Sequence, residues 1–240
     1  MSISTERTIS RRQPQGEVHL QVPTDWFDLL EDGENDEAAH EQISDLANQV
    51  YAHKDEKVRS SIIRTLMAAR RLFLDDGMIS YGLVALPDSE DGPVTWHICA
   101  GVVEAPRCAP DINAGEALAR YFGEQLEDKQ VYLESFPSAM GPGFGLVSQP
   151  GIRSNGQVDI FPALPTTDAP PAQYAARIGM AAALSCPASG GPALLVVGSC
   201  LDPEQVVSMA SLVAVICGKA TVQPYGAADE HSDEVVQPWK

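Results

Sequence analysis

The order of apolar and polar residues predicts strands and helices along most of the chain. The clearest stretch, residues 192–218, joins a continuous apolar run to a helical repeat, which predicts a buried strand followed by a helix. Asp202 is a typical N-cap for that helix, and Gly218 a typical terminator. Residues 17–22 alternate strictly between apolar and polar, which predicts a half-buried strand.

Two consecutive helices of opposite charge are predicted at residues 35–50 and 55–76, where apolar residues recur at helical spacing. Asp55 is placed to cap the second helix. The first helix and the loop before it are rich in Asp and Glu, whereas the second and its approach carry many of the chain's basic residues. These basic residues are Lys54, Lys57, Arg59, Arg64, Arg70 and Arg71. We expect an antiparallel helical hairpin with one acidic and one basic arm.

The remaining elements complete an α+β pattern. Strands are predicted at residues 78–86, 94–104, 130–136, 144–148, 158–164, 174–184 and 220–222, and a helix at 111–128. A hairpin-type connection joins the first two of these strands, and a flexible glycine-rich turn is predicted at 138–145. The predicted fold class is therefore α+β, with a mostly antiparallel sheet flanked by helices and with disordered termini.

The domain organisation follows from the distribution of polar residues. Residues 1–16 are polar and are predicted to be a flexible arm, and residues 17–223 form a single α+β domain. Residues 224–240 are acidic and unpatterned, which predicts a disordered tail.

Composition and charge exclude several classes of function. The chain has 240 residues and a formal net charge of −17, which disfavours nucleic acid as a partner. Neither a secretory signal nor an apolar stretch near the ~20 residues of a membrane span is found, so we expect a cytoplasmic protein without membrane insertion. The five cysteines are scattered, which is typical of free thiols in a reducing compartment.

Candidate catalytic residues are few, and no catalytic, metal-binding or cofactor motif is present, so the sequence predicts no catalytic residue, no metal and no cofactor. His97 and Cys99 lie on the same face of a predicted strand, which allows a nucleophilic pair, although a core thiol beside a strand histidine is the simpler interpretation. Cys108 lies in a polar loop beside Arg107, so it is either a reactive thiol or a bystander.

The basic helix is the candidate binding surface. Arg59, Arg64, Arg70 and Arg71 flank the apolar stripe of the second helix. They either pair with the acidic helix at 35–50, with their stems on apolar surface, or stay free and bind an anionic partner. The sequence leaves both interpretations open.

The predicted domain begins with VHLQVPTDW and ends with ALLVVGSCLDPEQVVSMASLVAVI, and the two helices and the strand pair lie between these segments. In outline, this arrangement resembles uncharacterised actinobacterial cytoplasmic proteins. The strand and helix order over residues 17–222 is similar to the PsbP/Mog1-like α/β/α sandwich. The resemblance implies a sheet packed between helices that serves as a protein-binding module. It also implies an association with protein secretion, and no catalytic residue is carried over from it.

Three functions follow as hypotheses. The first is a non-enzymatic cytoplasmic adaptor that binds a protein partner not identifiable from the sequence. The second is a small-molecule-binding protein or an enzyme whose site lies in the glycine-rich loops at 138–156, near Arg153 and Asn155. The third is a structural homo-oligomer, in which the alanine-rich strand at 175–184 pairs as a sheet edge across a two-fold axis.

Overall fold

The computed structural model describes residues 6–14, 16–86, 94–105, 114–165, 173–187 and 190–223. The helices in these ranges are α1 (Asp36–Val50), α2 (Glu56–Asp75), α3 (Ala114–Gln125) and α4 (Val206–Lys219). The strands are β1 (Glu6–Gln13), β2 (Gly16–Pro23), β3 (Phe27–Asp28), β4 (Ser80–Leu86), β5 (Val94–Ala105), β6 (Val131–Ser138), β7 (Gly141–Ser148), β8 (Gly151–Ile152), β9 (Val158–Asp159), β10 (Ala176–Arg177), β11 (Gly179–Ser185), β12 (Gly191–Cys200) and β13 (Thr221–Gln223).

The central layer is a seven-stranded sheet in the order β3-β4-β5-β12-β11-β7-β6. Every neighbouring pair in it is antiparallel, which confirms the predicted α+β class. Two three-stranded sheets accompany it, in the orders β1-β2-β13 and β10-β8-β9. Strand β11 pairs on one side with β12 and on the other with β7, so the expectation that 175–184 offers a free edge is wrong.

Helices cover both faces of the large sheet. On one face, α4 and β2 enclose the larger core, in which Leu20, Val196 and Met209 are fully buried. Side chains of a strand alternate between the faces, so Leu184 and Phe144 point to the opposite side, where α3 packs on them. Helices α1 and α2 cover the β3–β4–β5 end of that second face, with Leu83 in their core.

The helical hairpin forms as predicted, because each helix has a local start signal. The Asn35 side chain accepts a hydrogen bond from the backbone N–H of Ala38 at 3.2 Å, and Asp55 accepts one from Val58 at 2.8 Å. Helix α2 ends just before Gly77, which has a positive φ of 72°. The C-terminal part of α2 contacts the start of α1, so the two helices are antiparallel.

The predicted flexible arm at 1–16 is wrong for residues 6–13, which form β1. This strand pairs along its whole length with β2, and β2 in turn packs on α4. Its polar residues are consistent with a strand, because Arg7 and Arg11 use their side chains to reach the rest of the protein. Residues 1–5 and the predicted tail at 224–240 lie outside the described residues.

The glycine-rich turn predicted at 138–145 is also mostly a strand. Only Ala139 and Met140 lie between β6 and β7, and β7 runs from Gly141 to Ser148. A Cβ added at Gly143 would stand 2.6 Å from the ring of Phe136 on the paired strand. The glycines therefore make room for an aromatic ring and do not form a loop.

The strand and helix predicted at 192–218 are confirmed with shifted ends. A short 3-10 turn, Pro203–Gln205, precedes α4, and the Asp202 side chain accepts a hydrogen bond from the backbone N–H of Glu204 at 3.0 Å. Gly218 does not terminate the helix, which continues to Lys219. No helix in the described ranges is long and apolar enough to cross a membrane.

Candidate ligand-binding cavity

A cavity of about 360 Å³ separates the helical hairpin from the second face of the large sheet. Its volume falls within the range of roughly 300–1,000 Å³ that is usual for small-molecule sites. The floor is formed by strands β3, β4 and β5, and the two walls by α1 and α2. Ile43 and Leu66 pack the hairpin on the sheet, and the cavity extends beside this contact to Thr95 and His97.

Most of the lining is apolar. The apolar lining residues are Phe27, Leu46, Ala47, Val50, Ile62, Leu66, Leu83 and Leu201. The polar lining residues are Asp25, Tyr51, Ser61, Thr65, Thr95 and His97. Leu201 is 81% exposed, and Asp25, Ser61 and Thr65 are also exposed, so these residues lie at the opening to solvent.

His97 and Thr95 are polar residues of the cavity floor, and a hydrogen bond fixes the orientation of His97. The register of β4 and β5 places Tyr81 opposite Cys99 and Leu83 opposite His97, so Tyr81 lies diagonal to His97 on the same face. The Tyr81 hydroxyl lies 2.7 Å from Nδ1 of His97. Burial lowers the pKa of His97 and raises the pKa of Tyr81 to about 12, so both groups are neutral near pH 7.

A nucleophilic pair of His97 and Cys99 is not formed. His97 uses Nδ1 for Tyr81, and burial raises the pKa of Cys99, which keeps its sulfur as a thiol. Cys99 packs instead in the core beneath the hairpin, which is the simpler of the two interpretations from sequence. Cys108 lies outside the described residues.

Two of the four arginines of the proposed binding surface pair with the acidic helix. Arg70 is fully buried, and its guanidinium donates to Asp36 and to the backbone carbonyl of Gly33. Arg71 donates to Asp36 Oδ2 from Nη2 at 2.7 Å. The hydrogen bond from Arg71 is the main reason that the pKa of Asp36 is lowered. The expectation that Arg70 is a surface residue available to a partner is therefore wrong.

The other two arginines lie on the surface but apart from that pair. Arg59 is half-buried and donates from Nη1 to the backbone carbonyl of Lys54 at 2.6 Å, at the start of α2. Arg64 is exposed and borders an open cleft between α1 and α2, together with His40 and Glu56. A role of Arg59 and Arg64 in binding an anionic partner stays a prediction.

Within 138–156, Gly145, Leu146 and Val147 line a groove beside α4, whereas Arg153 and Asn155 make local contacts, and a ligand site in these loops stays a prediction. Arg153 lies 3.8 Å from Asp159 and near the ring of Tyr174, and both contacts stay within the small β8–β9–β10 region. The Asn155 side chain accepts a hydrogen bond from the backbone N–H of Gln157 at 3.0 Å, which closes a local turn. Arg153 and Asn155 therefore make contacts within their own local region.

The cavity itself was missed by sequence reasoning, although one of its residues was singled out. His97 was a candidate from the sequence, but the partner considered for it was Cys99, not Tyr81. A usable signal was the alternation in β5, where Thr95 and His97 share one face while Trp96 and Ile98 form the apolar face. Two neighbouring polar residues on one face of a central strand indicate that a packed apolar core does not cover that face.

Comparisons with known proteins do not show a family for this chain. No family model matches the chain, and no curated protein is similar to it. A crystal structure of LpqN, described as involved in cell envelope biogenesis of Mycobacterium tuberculosis, aligns with a TM-score of 0.40 at 11% identity, over 92% of this chain and 91% of that chain. Similarity at this level transfers no property of LpqN. The resemblance to the PsbP/Mog1-like sandwich stays a prediction.

Proposed function

We propose that this protein is a non-enzymatic binding protein that holds a small apolar molecule between its helical hairpin and its sheet. The observation that carries the proposal is the cavity of about 360 Å³, whose walls and floor are mostly aliphatic and aromatic. Concave, largely apolar sites with a few placed polar groups are the usual form of a small-molecule site.

The packing of the hairpin supports this function. Ile62 and Leu46 face each other across the cavity from α2 and α1, and both side chains are only partly buried. A ligand of modest size would remove this apolar surface from water, which is favourable by about 25 cal/mol per Å². Ile43 and Leu66 hold the hairpin against the sheet beside the cavity, so its walls are formed without a ligand.

The chemistry of the lining favours binding over catalysis. Among the described lining residues, His97 is the only histidine, and Tyr81 already occupies its Nδ1. A nucleophilic mechanism would need a thiolate or an activated hydroxyl beside His97, and the described lining residues supply neither.

Naphthalene binding tests the proposal, because naphthalene is neutral, apolar and small enough for the cavity. We expect saturable binding of one molecule per chain in equilibrium dialysis. The variant Thr65→Phe places a ring at the rim of the cavity from α2 and should weaken binding by about tenfold or more.

Ala68→Phe is the matched control, since Ala68 is exposed on the same helix and does not line the cavity. It should bind naphthalene as the wild type does. The proposal fails if the wild type does not bind, or if Thr65→Phe and Ala68→Phe bind equally well.

A second candidate function is the protein-binding adaptor inferred from the sequence, and a second surface favours it. A groove of about 570 Å³ runs between α4 and the β6–β7 end of the sheet. Its floor contains Ala181 and Ala183, and its rim contains Val207 and Tyr132, which are 69% and 61% exposed. Glu134 also lines it, so the fitting partner is an amphipathic helix that carries a basic residue. Cytoplasmic location and an association with secretion stay predictions.

The adaptor function is tested with variants of α4. Val207→Glu places a charge in the groove, whereas Val215→Glu changes a residue of α4 that is 40% exposed and does not line it. We expect a partner captured from the source cytoplasm to be retained by the wild type and by Val215→Glu, and lost by Val207→Glu. Equal retention by both variants would rule out this groove as the partner surface.

A further inference from the structure

We propose that the cavity selects neutral ligands that carry a hydrogen-bond acceptor, such as a ketone or an ester, and that His97 donates to this acceptor from Nε2. The inference rests on the proposed binding function and adds the chemical class of the ligand. Three features of the cavity carry it: the partner of Nδ1, the accessibility of Nε2 and the charge of the lining.

The hydrogen bond to Tyr81 determines which ring nitrogen of His97 carries the proton. Tyr81 is buried, and its hydroxyl has no acceptor among the described residues other than Nδ1 of His97. If Nδ1 carried the proton, the tyrosine hydrogen would be buried without an acceptor, which costs about 1–3 kcal/mol. The tyrosine hydroxyl therefore donates to Nδ1, and the neutral imidazole has its proton on Nε2.

The Nε2 atom is available to a ligand. It makes no hydrogen bond with any described residue, yet it is not among the described side-chain atoms that are buried without a partner. It therefore keeps accessible surface, and His97 lines the cavity. A donor at the floor of an apolar cavity favours a ligand acceptor at that position, because few water molecules compete for the bond.

The lining charge disfavours carboxylates. No lysine or arginine is found among the described residues that line the cavity, and the exposed Asp25 stands at its opening. The lowered pKa of His97 keeps the imidazole uncharged at neutral pH. A carboxylate would enter this site without a cation to balance its desolvation, so anionic amphiphiles are poor ligands.

Three ligands of similar shape and different chemistry test the inference: ethylbenzene, acetophenone and benzoate. Ethylbenzene reports on the cavity alone, acetophenone adds an acceptor, and benzoate adds a charge. Each is titrated by calorimetry at about pH 8 into the wild type and into variants of the Tyr81–His97 pair. We expect the wild type to bind the two neutral ligands and not benzoate.

The variants separate the hydrogen bond from the cavity. The double variant Tyr81→Phe/His97→Leu removes both partners of the hydrogen bond, so neither is left buried and unpaired. It should bind acetophenone about tenfold less tightly and leave ethylbenzene affinity within about twofold. His97→Gln, which keeps an N–H donor, should restore most of the acetophenone affinity.

The outcomes distinguish this inference from the function on which it rests. Absence of ethylbenzene binding in the wild type would contradict the proposed function itself. Ethylbenzene binding with an unchanged acetophenone-to-ethylbenzene affinity ratio in the double variant would overturn only the role of His97. Benzoate binding as tight as that of acetophenone would overturn the selection for neutral ligands.

Discussion

Nη2 of Arg11 in β1 lies 3.0 Å from Oδ2 of Asp28 in β3, and the Asp28 side chain is completely buried. Asp28 also accepts hydrogen bonds from the Ser80 hydroxyl at 2.9 Å and from the backbone N–H groups of Leu30 and Tyr81 at 3.0 and 3.1 Å. One carboxylate thus connects β1, β3 and β4. The strand predicted to be a flexible arm supplies the cation that balances it.

Replacement of Arg11 should destabilise the protein strongly for this reason. Arg11→Met leaves the buried Asp28 carboxylate without its cation, and we expect the free energy of unfolding to fall by about 2–4 kcal/mol. Arg12→Met changes an exposed neighbour on the same strand and should have an effect within about 0.5 kcal/mol. Urea unfolding of the two variants measures the difference, and similar midpoints would show that β1 does not stabilise the fold through Asp28.

Gly82 and Gly123 should respond in opposite directions to alanine. A Cβ on Gly82 would stand 1.9 Å from a ring carbon of Trp26, so Gly82→Ala should destabilise by about 3 kcal/mol. A Cβ on Gly123, within α3, would have its nearest neighbour 3.9 Å away, and alanine is favoured over glycine in a helix. Gly123→Ala should therefore stabilise by about 0.5–1 kcal/mol. Thermal unfolding of both variants checks the signs, and a harmless Gly82→Ala would argue against the position of Trp26.

The two arginines that bind Asp36 should differ in their contribution. Arg70 is fully buried, so Arg70→Met leaves the Gly33 carbonyl without its guanidinium donor and should cost about 3 kcal/mol. The side chain of Arg71 is 66% exposed, and Arg71→Met should cost less than about 1 kcal/mol. Denaturant titration of the pair measures the difference. Equal small effects would mean that Arg70 is a surface residue after all.

The stability should depend on pH through His97. Burial lowers its folded-state pKa below the ordinary 6.5, so the unfolded chain takes up a proton at higher pH than the folded protein does. The contribution of His97 is therefore fully present above about pH 6.5 and is lost as the pH falls through the folded-state pKa. Other groups that face this region are Tyr81, Cys99 and Asp25.

His97→Gln removes this titration and should flatten the loss of stability between about pH 7 and pH 5. Urea midpoints measured across that range for wild type and variant give the comparison. If the urea midpoints of wild type and variant change with pH in parallel, His97 has the same pKa in the folded and the unfolded state. The acidic groups that titrate at lower pH are common to both proteins, so they do not disturb this difference.

The candidate site was only partly predictable, because its residues come from segments far apart in the chain. His97 was identified from its position in β5, but its partner Tyr81 is determined by the register of β4 against β5. That register depends on the pairing of whole strands and not on residues next to His97. The walls of the cavity depend in turn on how far the hairpin stands from the sheet, which no local pattern reports.

The sequence by itself determined the elements that depend on local interactions. Asn35 and Asp55 cap their helices with hydrogen bonds that span three residues, and the apolar repeats of α1 and α2 need only one face to be buried. The tertiary structure alone decided the contacts between distant segments, such as Arg11 with Asp28 and Trp26 over Gly82. Local patterns determine elements because the interacting groups are neighbours in the chain. Contacts between distant segments, and the cavity between the hairpin and the sheet, form only when the whole chain has folded, because burial and charge pairing there involve residues far apart in the sequence.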